Sequence, residues 1–275
     1  MAALWMLGTI TSFCLMAIVI RLLGNDFSVM QMLFIRSCIG LAVISFIIFK
    51  LNPQLFKTEK ASVQFFRNIF HFFGQYGWYL GITLLPLSQV FAIEFTVPIW
   101  TLLAAWLFLK ESITPTKIMA ISLGFVGVLI IVQPNFTTLD PIMLIVLAAA
   151  ICYGIAHTCT KALSTTESTL TILFYMCVIQ LPISLVFMME QWMWPNLLEW
   201  LGFLLIGLTA LTAHFCMIKA MAHGEITHIV ILDFLRLPMI ALVGAVFFQE
   251  PLALPLFVGG LLMLWGNWMM TKKVR

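Results

Sequence analysis

Charged residues are scarce in this chain. Only 9% of its 275 residues are Asp, Glu, Lys or Arg, whereas 63% are apolar, and the mean hydropathy is +1.10. Soluble globular proteins carry about 25% charged residues. The composition therefore excludes a soluble protein and predicts an all-α protein that crosses a membrane several times.

Several motifs are also missing. No Gly-rich loop precedes a Lys-Ser/Thr pair, which excludes a P-loop nucleotide hydrolase. The six cysteines lie in apolar stretches without a disulfide or zinc spacing, and the five histidines form no HExxH motif. We therefore expect no metal, no cofactor and no catalytic residue. The small net charge of +3 gives no reason to expect a nucleic-acid partner.

Ten apolar segments have about the length that a transmembrane helix needs, which is roughly 20 residues. The first starts almost at the N-terminus, without a basic region or a cleavage site, and is interpreted as a span and not as a signal peptide. The polar stretch Pro134 to Pro141 divides the ten into two sets of five. The segments lie near residues 2–23, 30–49, 65–84, 87–109, 116–132, 141–162, 169–189, 199–221, 227–248 and 254–270.

The fourth and ninth segments carry the same pattern. Val90–Glu111 and Val230–Glu250 each contain an acid, then a proline, and end on a glutamate. The internal acids are Glu94 and Asp233, and both pairs of acids keep one offset of 139 residues (233 − 94 and 250 − 111). A carboxylate at membrane depth is costly and is by default a candidate for a substrate or proton pathway.

The halves repeat each other, and five spans is an odd number. The second half must therefore enter the membrane from the opposite side, so we predict two inverted five-helix repeats, 1–133 and 139–275. Inverted repeats are typical of secondary transporters, with the substrate site near the midplane.

The distribution of basic residues predicts the orientation. One side of the ten-span topology has Arg21 alone. The side that holds both termini has all the others that lie outside the spans or at their ends, namely Lys50, Lys57, Lys60, Arg67, Lys110, Lys117, Lys161, Lys219, Lys272, Lys273 and Arg275. Because cytoplasmic loops are rich in Lys and Arg, both termini are predicted to be cytoplasmic.

The two internal acids differ in their local partners. Asp233 and Arg236 are three residues apart and can pair on one helix face, either as a substrate site or only as an internal salt bridge. Glu94 has no such neighbour, so we expect it to be unpaired or to be reached by Arg36. Pro98 removes the hydrogen bond to the carbonyl of Glu94. Because burial favours the neutral form of a carboxyl group, Glu94 is the candidate for proton coupling.

Polar side chains recur every fourth residue in two segments, which places each set on one helical face. They are Arg67, His71, Gln75 and Tyr79 in the third segment, and Tyr153, His157 and Lys161 in the sixth. Such a stripe either binds a ligand or forms hydrogen bonds between helices. We expect Arg67 to be an interfacial anchor, Lys161 to reach the cytoplasmic interface, and His157 to be a ligand or a packing residue.

Aromatic and mildly polar side chains in these segments predict a pocket for a flat or amphipathic metabolite. Phe215 is expected to join it. The predicted substrate-binding residues are Gln75, Trp78, Tyr79, Glu94, Trp100, Tyr153, His157, His214, Asp233 and Arg236.

Each half closes with a helix that ends on an acid (LFLKE, VFFQE), followed by a glycine-bearing helix (SLGFVGVLIIV, LFVGGLLMLWG). Together with the ten spans, this order resembles the EamA-type transporters of the drug/metabolite transporter superfamily. The resemblance implies a central cavity, with the fifth and tenth helices packed behind it. It also implies a substrate such as an amino acid, a nucleobase or nucleoside, a vitamin or an S-adenosylmethionine-like compound.

We accordingly expect a transporter in the bacterial inner membrane, a monomer or homodimer, whose partners are a small-molecule substrate and the bilayer. Glu111 and Glu250 are expected to be capping or interfacial residues, and the segment glycines to be packing residues. The alternative is an intramembrane enzyme that acts on a lipid or a membrane-embedded substrate.

Overall fold

The computed structural model describes residues 2–132, 140–189, 192–223, 225–226, 229, 232–233, 236–251 and 254–272, and these residues form helices and connecting turns without a strand. Most of the predicted break between the halves and much of the predicted start of the ninth segment lie outside them. The α-helices are α1 (Ala2–Leu23), α2 (Val29–Leu51), α3 (Ala61–Leu84), α4 (Leu87–Glu94), α5 (Val97–Leu109), α6 (Pro115–Val132), α7 (Pro141–Ser164), α8 (Thr169–Met188), α9 (Leu197–Ala222), α10 (Arg236–Phe248) and α11 (Leu254–Lys272), and a 3-10 turn covers Pro53–Phe56.

Short polar residues start several of these helices. Ser28 accepts a hydrogen bond from a backbone N–H in the first turn of α2, and Ser168 does so for α8. Asn196 and Glu199 form a capping box at the start of α9. Because the first N–H groups of a helix lack intrahelical partners, such caps fix where each helix begins.

The fourth predicted segment is interrupted. Helix α4 ends at Glu94 and α5 begins at Val97, with Phe95 and Thr96 in a turn. Pro98 lies in the first turn of α5, where its missing N–H costs no intrahelical hydrogen bond. The interruption follows Glu94 directly, close to the position of Pro98.

Six helical segments in the described part of the chain are long and apolar enough to cross a membrane: α1, α2, α4 with α5, α7, α8 and α9. Shorter apolar helices occur within α6, α10 and α11. Helix α3 has 24 residues but carries the predicted polar stripe, whose members are buried against other helices. The protein is therefore an all-helical, multi-pass membrane protein.

The helices of the first half pack mainly on helices of the second half. The closest pairs are α1 with α9, α3 with α7, α2 with α8, and α6 with α11. In the last pair the backbones touch, because a Cβ atom built at Gly127 would lie 2.6 Å from the carbonyl oxygen of Gly259. Glycine allows such close approach of membrane helices, so the predicted packing role of these two residues is confirmed.

Candidate functional site

Arg236 lies at the centre of a buried ionic cluster. It is 1% exposed, and its Nη2 donates to Asp233 Oδ2 at 2.6 Å and to Glu94 Oε1 at 2.8 Å. Trp78 Nε1 donates to the other carboxylate oxygen of Glu94 at 2.7 Å. The predicted pairing of Asp233 with Arg236 is confirmed.

The expectation that Glu94 is unpaired is wrong. Its partner Arg236 is distant in sequence but lies at the start of α10, which packs against α4. Both side chains therefore extend from helix ends, and they meet between the two halves of the chain. A buried charge needs a partner because moving it out of water into a protein interior costs roughly several kcal/mol.

Three phenylalanine rings enclose the same guanidinium. The Cζ atom of Arg236 lies 4.8 Å from the ring centroid of Phe91, 5.0 Å from that of Phe13 and 5.8 Å from that of Phe95. We call these three rings the phenylalanine cage. Sequence reasoning missed all three, although two of them lie within one helical turn of Glu94 and could have been noted. Phe13 comes from α1 and gives no such local signal.

A second polar cluster surrounds Arg36. Its Nη1 donates to Gln75 Oε1 at 3.0 Å and to Gln180 Oε1 at 3.4 Å. The amide nitrogen of Gln180 lies 2.8 Å from His71 Nδ1. Arg36 is therefore bonded to glutamines in the structure and not to Glu94, which settles the alternative that the sequence leaves open.

Aromatic and imidazole rings connect the two clusters. The His214 ring lies 4.7 Å from His71 and 5.4 Å from Phe13, between centroids. Tyr153 lies edge-on to His71 at 5.7 Å and stacks on His157 at 5.8 Å. Thus eight predicted residues lie in or between these clusters, namely Gln75, Trp78, Glu94, Tyr153, His157, His214, Asp233 and Arg236.

Several of these polar atoms have no hydrogen-bond partner among the described residues. They are Nε2 of His71 and of His214, Nδ1 of His157, Oδ1 of Asp233, and Nε and Nη1 of Arg236. Buried polar groups are normally hydrogen-bonded, so this density of unused donors and acceptors is typical of a ligand-binding site.

Two other predicted site residues lie at the margin. The Tyr79 hydroxyl is directed at Met16 Sδ, 3.7 Å away. Trp100 is half-buried, and its Nε1 donates to Thr96 Oγ1 at 3.2 Å in the turn between α4 and α5. Tyr79 therefore packs in the interior, and Trp100 stabilises the turn between α4 and α5. The described contacts do not place either residue against Arg236.

The expectation that Arg67 is an interfacial anchor is wrong. It is 1% exposed, and its Nε donates to Thr160 Oγ1 at 3.0 Å and its Nη1 to Asn68 at 2.5 Å. The reason is that α3 and α7 pack tightly, so a residue near a helix end is covered by its neighbour. Lys161 Nζ in turn donates to the carbonyl of Met221 at 2.7 Å.

A small cavity lies beside the ionic cluster. Its volume is about 10 Å³, and it is lined by Glu94, Phe95, Pro98, His157 and Asp233, among others. That is room for about one water molecule, so the structure is closed around the site. Larger apolar grooves lie elsewhere. One of about 510 Å³ between α2, α8 and α9 contains Phe215, which does not join the site as predicted.

Glu111 and Glu250 follow the ends of α5 and α10 by two residues, and each accepts a hydrogen bond from a backbone N–H of the opposite half. Glu250 Oε1 accepts from the backbone N–H of Leu87 at 2.7 Å, at the start of α4. Glu111 Oε1 accepts from the N–H of Ile226 at 3.2 Å. The expected capping role of both glutamates is confirmed, and the partners show that each cap joins the two halves.

The described residues contain no group of three or more His, Cys, Asp or Glu that is arranged to hold a metal. The site therefore offers ionic, aromatic and hydrogen-bonding contacts to a ligand. These contacts suit recognition of a small molecule.

Comparison with known proteins also indicates a protein that binds and transports a small molecule. The model of the EamA-like transporter family matches residues 1–133 and again residues 140–272. The chain is 25% identical over 246 residues to an S-adenosylmethionine uptake transporter of Rickettsia bellii, covering 90% of this chain and 84% of that protein. It is 30% identical over 192 residues to a riboflavin transporter of Rhizobium johnstonii, covering 70% of this chain and 64% of that protein. One crystal structure has the same fold, with a TM-score of 0.79 at 15% identity, over 98% of this chain and 96% of that one.

Proposed function

Because this chain belongs to the EamA-like transporter family, we propose that it carries a small organic metabolite across the membrane by alternating access around Arg236. The observation that carries the proposal is the buried cluster of Arg236, Glu94 and Asp233 at helix ends between the two halves. Ionisable groups at membrane depth are costly and mark substrate and ion pathways. The named relatives are transporters, which favours transport over an intramembrane enzyme.

The proposed architecture is a pair of inverted repeats, residues 1–133 and 139–275. The helix packing supports it, because an exchange of the repeats turns the pair α1 with α9 into the pair α7 with α3, and both pairs are present. The pairs α2 with α8 and α6 with α11 each map onto themselves under the same exchange.

The glutamate caps support the repeats independently. Glu111 and Glu250 are separated by the same offset of 139 residues as the N–H groups that they accept from, those of Leu87 and Ile226 (250 − 111 and 226 − 87). The residue before each glutamate is left-handed, with φ of 57° at Lys110 and 56° at Gln249. If one half rotates against the other during transport, the hydrogen bond of one glutamate to the opposite half would break while that of the other glutamate stays formed.

The proposed substrate has a flat heteroaromatic part. S-adenosylmethionine and riboflavin, after which the relatives are named, both contain a fused nitrogen heterocycle. The Nε2 atoms of His71 and His214 have no hydrogen-bond partner among the described residues. Together with the rings of Phe13 and Tyr153 beside them, they provide hydrogen-bonding groups and ring faces for such a heterocycle. Small-molecule sites are commonly apolar with a few placed polar groups.

We place the protein in the bacterial plasma membrane with both termini in the cytoplasm, as the basic residues indicate. Accumulation needs an energy source, and the chain has no phosphate-binding loop for ATP. Movement of one charge down the membrane potential supplies about 2.3 kcal/mol per 100 mV. Glu94 is the proposed proton carrier. When Glu94 is protonated and loses its charge, Arg236 is still paired with the carboxylate of Asp233.

The test compares Glu94→Gln with wild type in proteoliposomes, using labelled S-adenosylmethionine and labelled riboflavin. A coupling residue should lose proton-driven accumulation but keep exchange of substrate at saturating concentration. Glu59→Gln, at an exposed position, is the matched control and should keep both. Loss of exchange as well would make Glu94 a binding or folding residue, and equal accumulation by both variants would remove it from coupling. If wild type carries neither compound nor any other metabolite, the proposed function is wrong.

A further inference from the structure

The residues around Arg236 attract its positive charge but leave most of its N–H donors without acceptors among the described residues. A guanidinium has five N–H donors in a planar fork, but among the described residues only Nη2 has hydrogen-bond partners, which are Asp233 and Glu94. Its Nε and Nη1 are buried without a hydrogen-bond partner among the described residues. The phenylalanine cage supplies ring faces in their place, and ring faces attract a cation without accepting directed hydrogen bonds.

The charge of the cluster is also unbalanced. Two carboxylates, Glu94 and Asp233, share one guanidinium, so the ionised cluster has a formal charge of −1. The other buried arginines are bonded elsewhere, Arg36 to Gln75 and Gln180 and Arg67 to Thr160 and Asn68. A buried negative charge favours a bound cation, because the low dielectric of the interior strengthens the attraction.

The Arg236 guanidinium can adopt a second position, paired with Asp233 alone. Asp233 precedes Arg236 by three residues, and its Oδ1 has no hydrogen-bond partner among the described residues. Arg236 can therefore turn towards Asp233 and pair through two hydrogen bonds, the preferred geometry of an Arg–carboxylate pair. The adjacent cavity of about 10 Å³ is too small for a metabolite, so a ligand can enter only if a side chain moves.

We propose that the substrate carries an organic cation without N–H groups, such as a sulfonium or a quaternary ammonium, and that this cation replaces the Arg236 guanidinium in the phenylalanine cage. The inference rests on the proposed function, because it names the substrate class of the same site. A primary ammonium fits less well, since its three N–H donors need acceptors that the rings do not provide. An onium group needs none, and its charge is balanced by the carboxylate that Arg236 leaves.

The first experiment needs no variant. Binding of S-adenosylmethionine and of S-adenosylhomocysteine to the purified protein is measured by calorimetry, since these probes differ by one methyl group and the positive charge on sulfur. We expect the sulfonium to bind at least about tenfold more tightly, because the ring faces and the freed carboxylate attract a positive charge on sulfur but not a neutral thioether. Equal affinities, or no binding of either probe, would overturn the inference.

Two variants test the cage itself. Phe91→Leu should weaken sulfonium binding and leave thioether binding nearly unchanged, whereas Phe66→Leu, at an exposed ring on α3, should change neither. Arg236→Lys keeps the charge beside Asp233 but fills the flat cage poorly, so we expect tighter sulfonium binding. Weaker binding by Arg236→Lys would mean that the arginine contacts the substrate directly, and would overturn the displacement.

Uptake by proteoliposomes separates this inference from the proposed function. Accumulation of riboflavin that neither sulfonium nor quaternary ammonium compounds inhibit would sustain transport and refute the cation site. Selective sulfonium binding without transport of any compound would sustain the cation site and refute the transport proposal.

Discussion

The backbone contact between α6 and α11 makes a sharp prediction about two neighbouring glycines. A Cβ atom at Gly259 would lie 2.5 Å from the carbonyl oxygen of Gly127 and 2.6 Å from Ile131 Cγ1. A Cβ atom at Gly260 would have no neighbour nearer than Leu237 Cδ2, at 4.0 Å. Gly259→Ala should therefore destabilise the protein, whereas Gly260→Ala, in the same helix, should not.

The size of the effect follows from this geometry. A contact of 2.5 Å with a backbone oxygen forces the helices apart, and overpacking of a close-packed interface costs about 1–3 kcal/mol. Replacement of glycine by alanine in a helix otherwise gains up to about 1 kcal/mol. Because both variants share that gain, their difference isolates the packing cost. We expect Gly259→Ala to melt roughly 2–12 °C below Gly260→Ala, at about 2–4 °C per kcal/mol for a chain of this size.

The measurement is thermal unfolding of both purified variants in the same detergent, followed by tryptophan fluorescence. Wild type and Gly260→Ala should melt within about 4 °C of each other, since a glycine-to-alanine change in a helix alters stability by at most about 1 kcal/mol. Equal melting temperatures for the two alanine variants would refute the backbone contact between α6 and α11.

Two further predictions concern orientation and the interior of the site. In intact cells, an impermeant thiol reagent should label a cysteine that replaces Trp194, which is 81% exposed, and should not label one that replaces Lys60. The reverse labelling pattern would mean that the topology is inverted. Lys273, which is also predicted to be cytoplasmic, lies outside the described residues. Gln75→Ala and His214→Ala should each raise the KM of uptake, because both side chains belong to the buried polar clusters, and unchanged kinetics in both variants would remove these two residues from the site.

Local sequence patterns determined much of this protein. The scarcity of charge predicted a multi-pass helical chain, and the helix bounds agree with the predicted segments within a few residues for the described parts. The spacing of Asp233 and Arg236 predicted their pairing. Pro98 predicted a missing backbone hydrogen bond near Glu94, but not the division of the fourth segment into two helices. These features depend on hydrophobic run length, helical periodicity and backbone chemistry, all of which act over a few residues.

Only the tertiary structure decided which distant groups meet. Glu94 looks unpaired in the sequence because its cation, Arg236, lies in the other half, and Phe13 joins the cage from a third helix. Arg67 looks interfacial because it is near a helix end, yet α7 covers it. Helix packing sets these contacts, and an apolar chain with many similar segments does not specify, by local pattern alone, which faces pack together.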